Sequence, residues 1–242
     1  MSRVAWLSPG DPPDAFPPVE TALGEPDGLL AAGGDLTTAR LLYAYRNGIF
    51  PWYDEGQPLL WWSPDPRCVI RPGDLYLSRR TRRYIRQSAV EVRFNTAFGE
   101  VIRACAGPRR SEQGTWITPD MIHAYEELHA AGWAHSIEIW LGDSLVGGLY
   151  GIAIGRAFFG ESMWSEAPNA SKVALLALSR LMDSGDLGIL DCQVLSSHLL
   201  ALGAKAIPRD QFIALLQPLC EPACQFENWP ADTLSAADLL AE

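Results

Sequence analysis

The sequence predicts an α+β fold, with helices leading into an antiparallel meander and then a helix, a strand and further helices. Three observations carry this. From about residue 66, apolar residues recur at helical spacing in successive segments opened by Ser, Thr or Pro and closed by Gly. Between residues 136 and 159 the period falls to two, in stretches separated by tight-turn residues. Beyond residue 170, helical and strand patterns follow each other, and no repeat or low-complexity tract interrupts them. At 242 residues the chain suits one large domain or two smaller ones.

Residues 1–60 are rich in Pro and Gly and hold one short helix, where Thr37 is placed to cap, Leu41, Leu42 and Tyr45 recur at helical spacing, and Gly48 supplies the stop. Two aromatic runs follow, Ile49-Phe50-Pro51-Trp52-Tyr53 and Leu59-Leu60-Trp61-Trp62-Ser63-Pro64. Aromatics this dense near prolines serve either a core or a pocket wall. Residues 78–87 read as a helix capped by Ser78, and 95–106 as a helix with Phe98, Val101, Ile102 and Cys105 on one face. Thr118-Pro119, an N-cap followed by proline at the first helical position, opens another that stops at Gly132. Residues 136–141, 145–154 and 156–159 then read as consecutive strands, 171–182 as a helix, 188–194 as a strand, and 197–202 and 210–216 as helices. The tail after Pro222 is weakly patterned and reads as loose.

Hydrophobic content of 48% and charged content of 20% describe an ordinary soluble globular protein. No apolar run approaches the roughly 18 residues that would span a bilayer, and Met1-Ser2-Arg3-Val4 opens no signal-peptide core, so the expected location is cytoplasmic. Cysteines at 68, 105, 192, 220 and 224 make no disulfide framework, and with the four histidines they match no zinc spacing, so reduced thiols and no metal are expected. A formal charge of −10 argues against a general nucleic-acid coat. Yet all basic residues but Lys172 and Lys205 are arginines, and Arg79, Arg80, Arg82, Arg83 and Arg86 crowd one predicted helix, with Arg103, Arg109 and Arg110 close behind. That segment serves either as a solvated face laced with salt bridges or as a local polyanion site, for which the planar guanidinium is suited.

Two polar clusters end apolar strand-like segments: Gly160-Glu161-Ser162-Met163 and Asp191-Cys192-Gln193-Val194. A carboxylate placed there is costly unless something binds it. Alternation predicts Asp191 and Gln193 on one face of the strand, with Cys192 on the other, and Glu161 approaching from a neighbouring strand. From the residues alone, a site receiving an amine and a polar network that fixes sheet register are equally served. Walker-A, HExxH and Gly-x-Ser-x-Gly patterns are absent, and Ser162 lies on no nucleophile elbow. The order of elements is that of GNAT-type acyltransferases, but Gly147, Gly148, Gly151 and Gly155 lie in strand context with no helix directly after, which disfavours coenzyme A as donor.

Nine segments occur in order: Gly33-Gly34-Asp35-Leu36, Gly48-Ile49-Phe50-Pro51-Trp52, Trp61-Trp62-Ser63-Pro64-Asp65-Pro66-Arg67, Gly114-Thr115-Trp116-Ile117-Thr118, Ala134-His135-Ser136-Ile137-Glu138, Leu145-Val146-Gly147-Gly148-Leu149-Tyr150-Gly151, Gly160-Glu161-Ser162-Met163, Asn169-Ala170-Ser171-Lys172 and Asp191-Cys192-Gln193-Val194. Together they closely resemble the bacterial leucyl/phenylalanyl-tRNA–protein transferase family. The resemblance implies a small N-terminal domain over residues 1–65 and a GNAT-like domain with a mostly antiparallel sheet over 66–242. It implies transfer of Leu, Phe or also Met from aminoacyl-tRNA to proteins beginning with Arg or Lys, creating an N-degron, with no cofactor or metal and as a monomer. By the same resemblance, Asp191, Gln193 and Glu161 are catalytic, with Gln193 contacting the attacking amine, Asp191 orienting it by hydrogen bonding and ending a proton relay, and Glu161 holding the aminoacyl end or the incoming N-terminus. Leu149, Phe158, Met163 and Leu175 would form the aminoacyl side-chain pocket. Trp52, Trp116 and Tyr125 would meet the terminal adenosine, and Arg79, Arg80, Arg82 and Arg83 the rest of the tRNA. Leu149 stands where the family commonly has Met, Phe159 replaces a smaller residue and Ala201 a Ser; the first two bear on donor preference. A Fem-like transferase acting on another amine, or a non-catalytic tRNA or N-degron binding module, are the alternatives.

Overall fold

The Pro- and Gly-rich start builds a four-stranded sheet in the computed structural model, which describes residues 4–107 and 116–241. Strand β1 (Ala5–Leu7) runs parallel to β2 (Leu29–Gly33), and after helix α1 (Thr38–Arg46) the short β3 (Phe50–Pro51) and β4 (Leu60–Trp62) complete the order β1-β2-β4-β3. None of these strands exceeds five residues, so no alternation accumulates in the sequence and only α1 was legible there. Thr37 occupies the N-cap position of α1, but its hydroxyl donates to Asp35 at 2.7 Å instead of capping the helix. Gly48 closes α1 with φ +71°, and a side chain there would strike Ile213 and Phe212.

The chain crosses at residues 63–66 into a larger sheet. Its elements are β5 (Arg67–Ile70), α2 (Arg79–Gln87), β6 (Glu91–Phe94), α3 (Phe98–Ala106), α4 (Pro119–Ala130), β7 (Ala134–Leu141), β8 (Ser144–Ile154), β9 (Ala157–Ser165), α5 (Ala170–Asp183), β10 (Ile189–Gln193), α6 (Ser197–Ala201), β11 (Lys205–Ile207), α7 (Arg209–Leu219) and β12 (Leu234–Ser235). The strand order is β11-β5-β10-β9-β8-β7-β6-β12. Every pairing is antiparallel except β9 with β10, which α5 joins as a crossover. Ser78 and Thr118 cap α2 and α4 as expected, accepting from the amides of Thr81 and Met121.

The differences from the sequence reading are local. The strand β6, which the sequence did not signal, ends at Phe94, and the helix read over 95–106 begins only at Phe98 after Asn95 turns the chain with φ +59°. β9 runs on to Ser165, which puts Glu161 inside a strand and not beyond its end. The tail is not loose: β12 pairs with β6, Phe226, Ala236, Leu239 and Leu240 are buried, and Arg180 donates to the carbonyls of Leu239 and Ala241 at 2.7 and 2.9 Å. Its anchors are spread too thinly for a periodic signal.

Alternation along β8 divides the interior. Tyr150, Ile152 and Ile154 pack in one core with α1, α3, α4 and the small sheet's Trp61, whereas Leu149 and Ala153 pack in a second core with α5. No helix among the described residues is long and apolar enough to cross a membrane.

Candidate active site

An arginine opening an apolar strand, Arg67-Cys68-Val69-Ile70, requires an anion, and the fold supplies Asp191 from the adjacent β10. Arg67 donates through Nε to Oδ1 at 2.9 Å and through Nη2 to Oδ2 at 2.7 Å, a bidentate pair in which both side chains are buried. Its Nη1 donates to the Gly48 carbonyl at 3.1 Å, and the guanidinium lies 4.7 Å from the ring centroids of both Phe50 and Phe212. The sequence reading misses Arg67 as a site residue; its place at the head of the apolar run Cys68-Val69-Ile70 is the signal that it needs a buried partner.

Asp191 and Gln193 do not share a simple alternating face. The register against β5 shifts between them, and Gln193 takes φ +62°. Asp191 Oδ1 accepts the backbone N–H of Gln193 at 2.9 Å, holding that left-handed turn. The hydrogen bond by which Asp191 reaches Gln193 is thus made to its backbone N–H. The Gln193 carboxamide instead donates from Nε2 to Glu161 Oε1 at 2.7 Å. An ionised carboxylate only accepts, so the NH₂ end faces Glu161 and the carboxamide oxygen points the other way.

Glu161 is almost fully buried; the Tyr45 hydroxyl lies 2.6 Å from its Oε1, the Tyr125 hydroxyl 2.9 Å from its Oε2, and the two tyrosine oxygens are within hydrogen-bonding contact of each other. Burial pushes its carboxyl up to about 7; the bonds from Tyr45, Tyr125 and Gln193 pull the other way, and the Asp191 charge adds to the rise. Burial and the neighbouring carboxylate also hold both tyrosine hydroxyls well above their ordinary titration range.

Beside this cluster lies an apolar cavity of about 100 Å³. Leu149, Phe158, Met163 and Leu175, the four expected pocket residues, all line it, with Leu190 at its wall. Gly151 leaves space for the Phe158 ring that lines it: a Cβ there would overlap that ring and the Phe159 carbonyl. Glu161, Ser162, Met163, Cys192 and Leu199 line both the cavity and a wider cleft of about 520 Å³, which also takes in Gln193, Trp52 and Trp116. Trp52 is 40% exposed at the rim and its carbonyl accepts from Trp62 Nε1 at 2.6 Å.

Two groups fall elsewhere. Tyr125, expected against an adenosine, is fully buried and serves Glu161, so its ring is not offered to a base. Arg79, Arg80, Arg82 and Arg83 are exposed on α2, form no ion pair with a described residue, and line neither the cavity nor the cleft. Of the arginines close behind them, Arg103 is paired with Glu126 at 2.6 Å, while Arg109 and Arg110, with Gly114 and Thr115, lie outside the described residues. No cluster of three metal-ligating side chains occurs among the described residues.

Comparison with known proteins bears on what the cluster serves. A family model described as leucyl/phenylalanyl-tRNA protein transferase matches residues 69–217, and one for the N-terminal domain of the same family matches residues 34–65. The leucyl/phenylalanyl-tRNA–protein transferase of Azoarcus sp. (strain BH72) is 56% identical over 235 residues, covering 97% of this chain and 99% of that protein. The protein of the same name from Aromatoleum aromaticum is 57% identical over 211 residues, 87% of this chain and 88% of its own length. That of Pseudomonas aeruginosa is 54% identical over 214 residues, 88% and 94% respectively. Among solved structures, a GCN5-related N-acetyltransferase from Kribbella flavida is similar at a TM-score of 0.36 and 12% identity, over 68% of this chain and 58% of that one, a likeness too distant to align a site. At more than half identity over nearly the whole length, with both family models in register along it, the chain belongs to the leucyl/phenylalanyl-tRNA–protein transferase family.

Proposed function

We propose that the chain transfers a leucyl or phenylalanyl group, with methionyl as a further donor, from aminoacyl-tRNA to the N-terminal amine of proteins beginning with Arg or Lys. The observation that carries this reading is a greasy cavity opening beside the Glu161–Gln193 pair into a cleft rimmed by two tryptophans. The cavity takes an apolar donor side chain that is unbranched at Cβ. Trp52 and Trp116 suit the terminal adenosine, where stacking of one base on an aromatic contributes roughly 1–3 kcal/mol. The exposed arginines of α2 suit phosphates of the tRNA body.

In the transfer, the acceptor nitrogen attacks the ester carbonyl carbon, the bond to the ribose oxygen breaks, and that oxygen leaves with a proton from the amine. The ester is already activated, and an α-amino group titrates near pH 8, so positioning supplies much of the rate. The Gln193 carboxamide oxygen accepts an N–H of the amine and aims its lone pair. Asp191 acts through the Gln193 backbone: both its oxygens are committed to Arg67, which suits a fixed support better than the end of a proton relay. Glu161, at the junction of cavity and cleft, holds the Gln193 amide and faces the aminoacyl end. The net charge of −10 favours a cationic acceptor residue.

Leu-tRNA carrying radiolabelled leucine, offered to peptides beginning with Arg, Lys, Asp or Ala, tests the assignment. Label on the Arg and Lys peptides alone is the expected result. Label on other amines points to a Fem-like transferase, and no label to a binding module.

A further inference from the structure

The contacts around Glu161 contain a proton count. Three oxygen–oxygen contacts close a triangle: Tyr45 with Glu161 Oε1, Tyr125 with Glu161 Oε2, and Tyr45 with Tyr125. Each contact needs one proton, and each hydroxyl supplies only one. With Glu161 ionised, one edge of the triangle has two oxygens facing each other with no hydrogen between them. A third proton, on the carboxyl group, fills every edge.

The direction of that ring follows from its fourth partner. Gln193 Nε2 donates to Oε1, so Oε1 is best as the carbonyl oxygen, the stronger acceptor. The carboxyl proton then sits on Oε2 and points to the Tyr125 oxygen, Tyr125 donates to Tyr45, and Tyr45 donates to Oε1. We propose that Tyr45 and Tyr125 are positioning residues for the transfer reaction: their ring with Glu161 absorbs the carboxyl proton, reserves Oε1 for the Gln193 carboxamide, and keeps the carboxamide oxygen turned to the cleft. The proposal rests on the reading of Gln193 given above.

The ring is needed because a protonated carboxyl is ambiguous. Without Tyr45, the arrangement that satisfies every remaining proton has Tyr125 donating to Oε2 and Oε1–H donating to the Gln193 oxygen. The carboxamide then rotates and offers its NH₂ to the cleft, where an amine requires an acceptor. Once Glu161 ionises, it accepts from Gln193 whether or not the ring is intact, and the correct orientation returns. The groups facing Glu161 are Tyr45 from α1, Tyr125 from α4, and Gln193 and Asp191 from β10, with Arg67 of β5 behind Asp191; Tyr150 of β8 adjoins the two tyrosines. Burial has moved the Glu161 carboxyl up to about 7.

Two measurements on the full chain test this. Single-turnover transfer from Leu-tRNA to an Arg-initiated peptide is followed from about pH 6 to about pH 8.5 for wild type and Tyr45→Phe, and their ratio at each pH removes the common titration of the amine. The expected deficit is about tenfold at the acid end, shrinking to about twofold or less at the alkaline end. A deficit of equal size at every pH is what a merely structural hydroxyl gives, and overturns the proposal. Infrared difference spectra of wild type against Glu161→Gln give the second readout: a protonated-carboxyl carbonyl band present at the acid end and gone at the alkaline end. Its absence at the acid end also overturns the ring, and this holds even if Tyr45→Phe does not fold. A wild type that transfers no amino acid from any charged tRNA refutes the proposed function instead, and leaves the infrared band to decide the ring.

Discussion

Replacing Arg67 by Met removes the counter-ion of a fully buried carboxylate while keeping most of the apolar bulk between Phe50 and Phe212. Three hydrogen bonds go with it, two to Asp191 and one to the Gly48 carbonyl. Breaking a buried pair from one side costs about 3–5 kcal/mol, because the remaining charge is left unpaired. For a chain of this length each kcal/mol lowers Tm by about 2–4 °C, so a fall of roughly 6–20 °C is expected in thermal melts followed by circular dichroism. Activity falls further than stability, since Asp191 also holds the turn that sets the Gln193 backbone at φ +62°. The double variant Arg67→Met with Asp191→Leu separates the two effects. An apolar pair of similar volume removes the unpaired charge, so Tm recovers towards wild type, whereas transfer activity does not. A single variant melting within about 2 °C of wild type, a loss under about 1 kcal/mol, refutes the view that this pair holds the site together.

Other expectations follow from the same geometry. Trp52→Ala weakens binding of charged tRNA by about 1–3 kcal/mol, read as a rise in KM, and leaves the melting curve unchanged because the ring is exposed at the rim. Replacing Arg79, Arg80, Arg82 and Arg83 by Ala lowers affinity for charged and uncharged tRNA alike and flattens the slope of log K against log salt by up to about 3, measured by filter binding. Glu161 favours its protonated form when folded, so its contribution is intact below its unfolded value of 4.5 and is lost as pH rises towards 7. Glu161→Gln escapes that loss: from pH 4 to pH 8 its stability relative to wild type rises, by on the order of 2–3 kcal/mol in urea titrations. A difference that does not change with pH rules out the raised carboxyl.

Much of the site was legible before the fold. The cavity residues Leu149, Phe158, Met163 and Leu175 were placed together by the family resemblance, and the α4 cap, the meander and the α5 helix by periodicity, because each signal is local and repeated over several residues. What stayed hidden was non-local. The small sheet is built from strands of two to five residues whose partners are distant in sequence, and the tail is fixed by a few scattered anchors. Tyr125 stands with Met121 and Leu128 on the apolar stripe of its helix, which signals an inward side chain, but nothing along the chain shows that its hydroxyl meets Glu161.

The sequence by itself determined which residues carry charge and hydrogen-bonding capacity, and that Glu161, Asp191 and Gln193 stand among apolar neighbours where they require partners. Only the tertiary structure decided who those partners are. The register shift in β10 sends Asp191 to Arg67 and Gln193 to Glu161, and the packing of α1 and α4 brings two hydroxyls onto the same carboxyl group. Pairing a buried polar atom depends on distances of a fraction of an ångström between segments as much as 124 residues apart, and no periodicity along the chain encodes that.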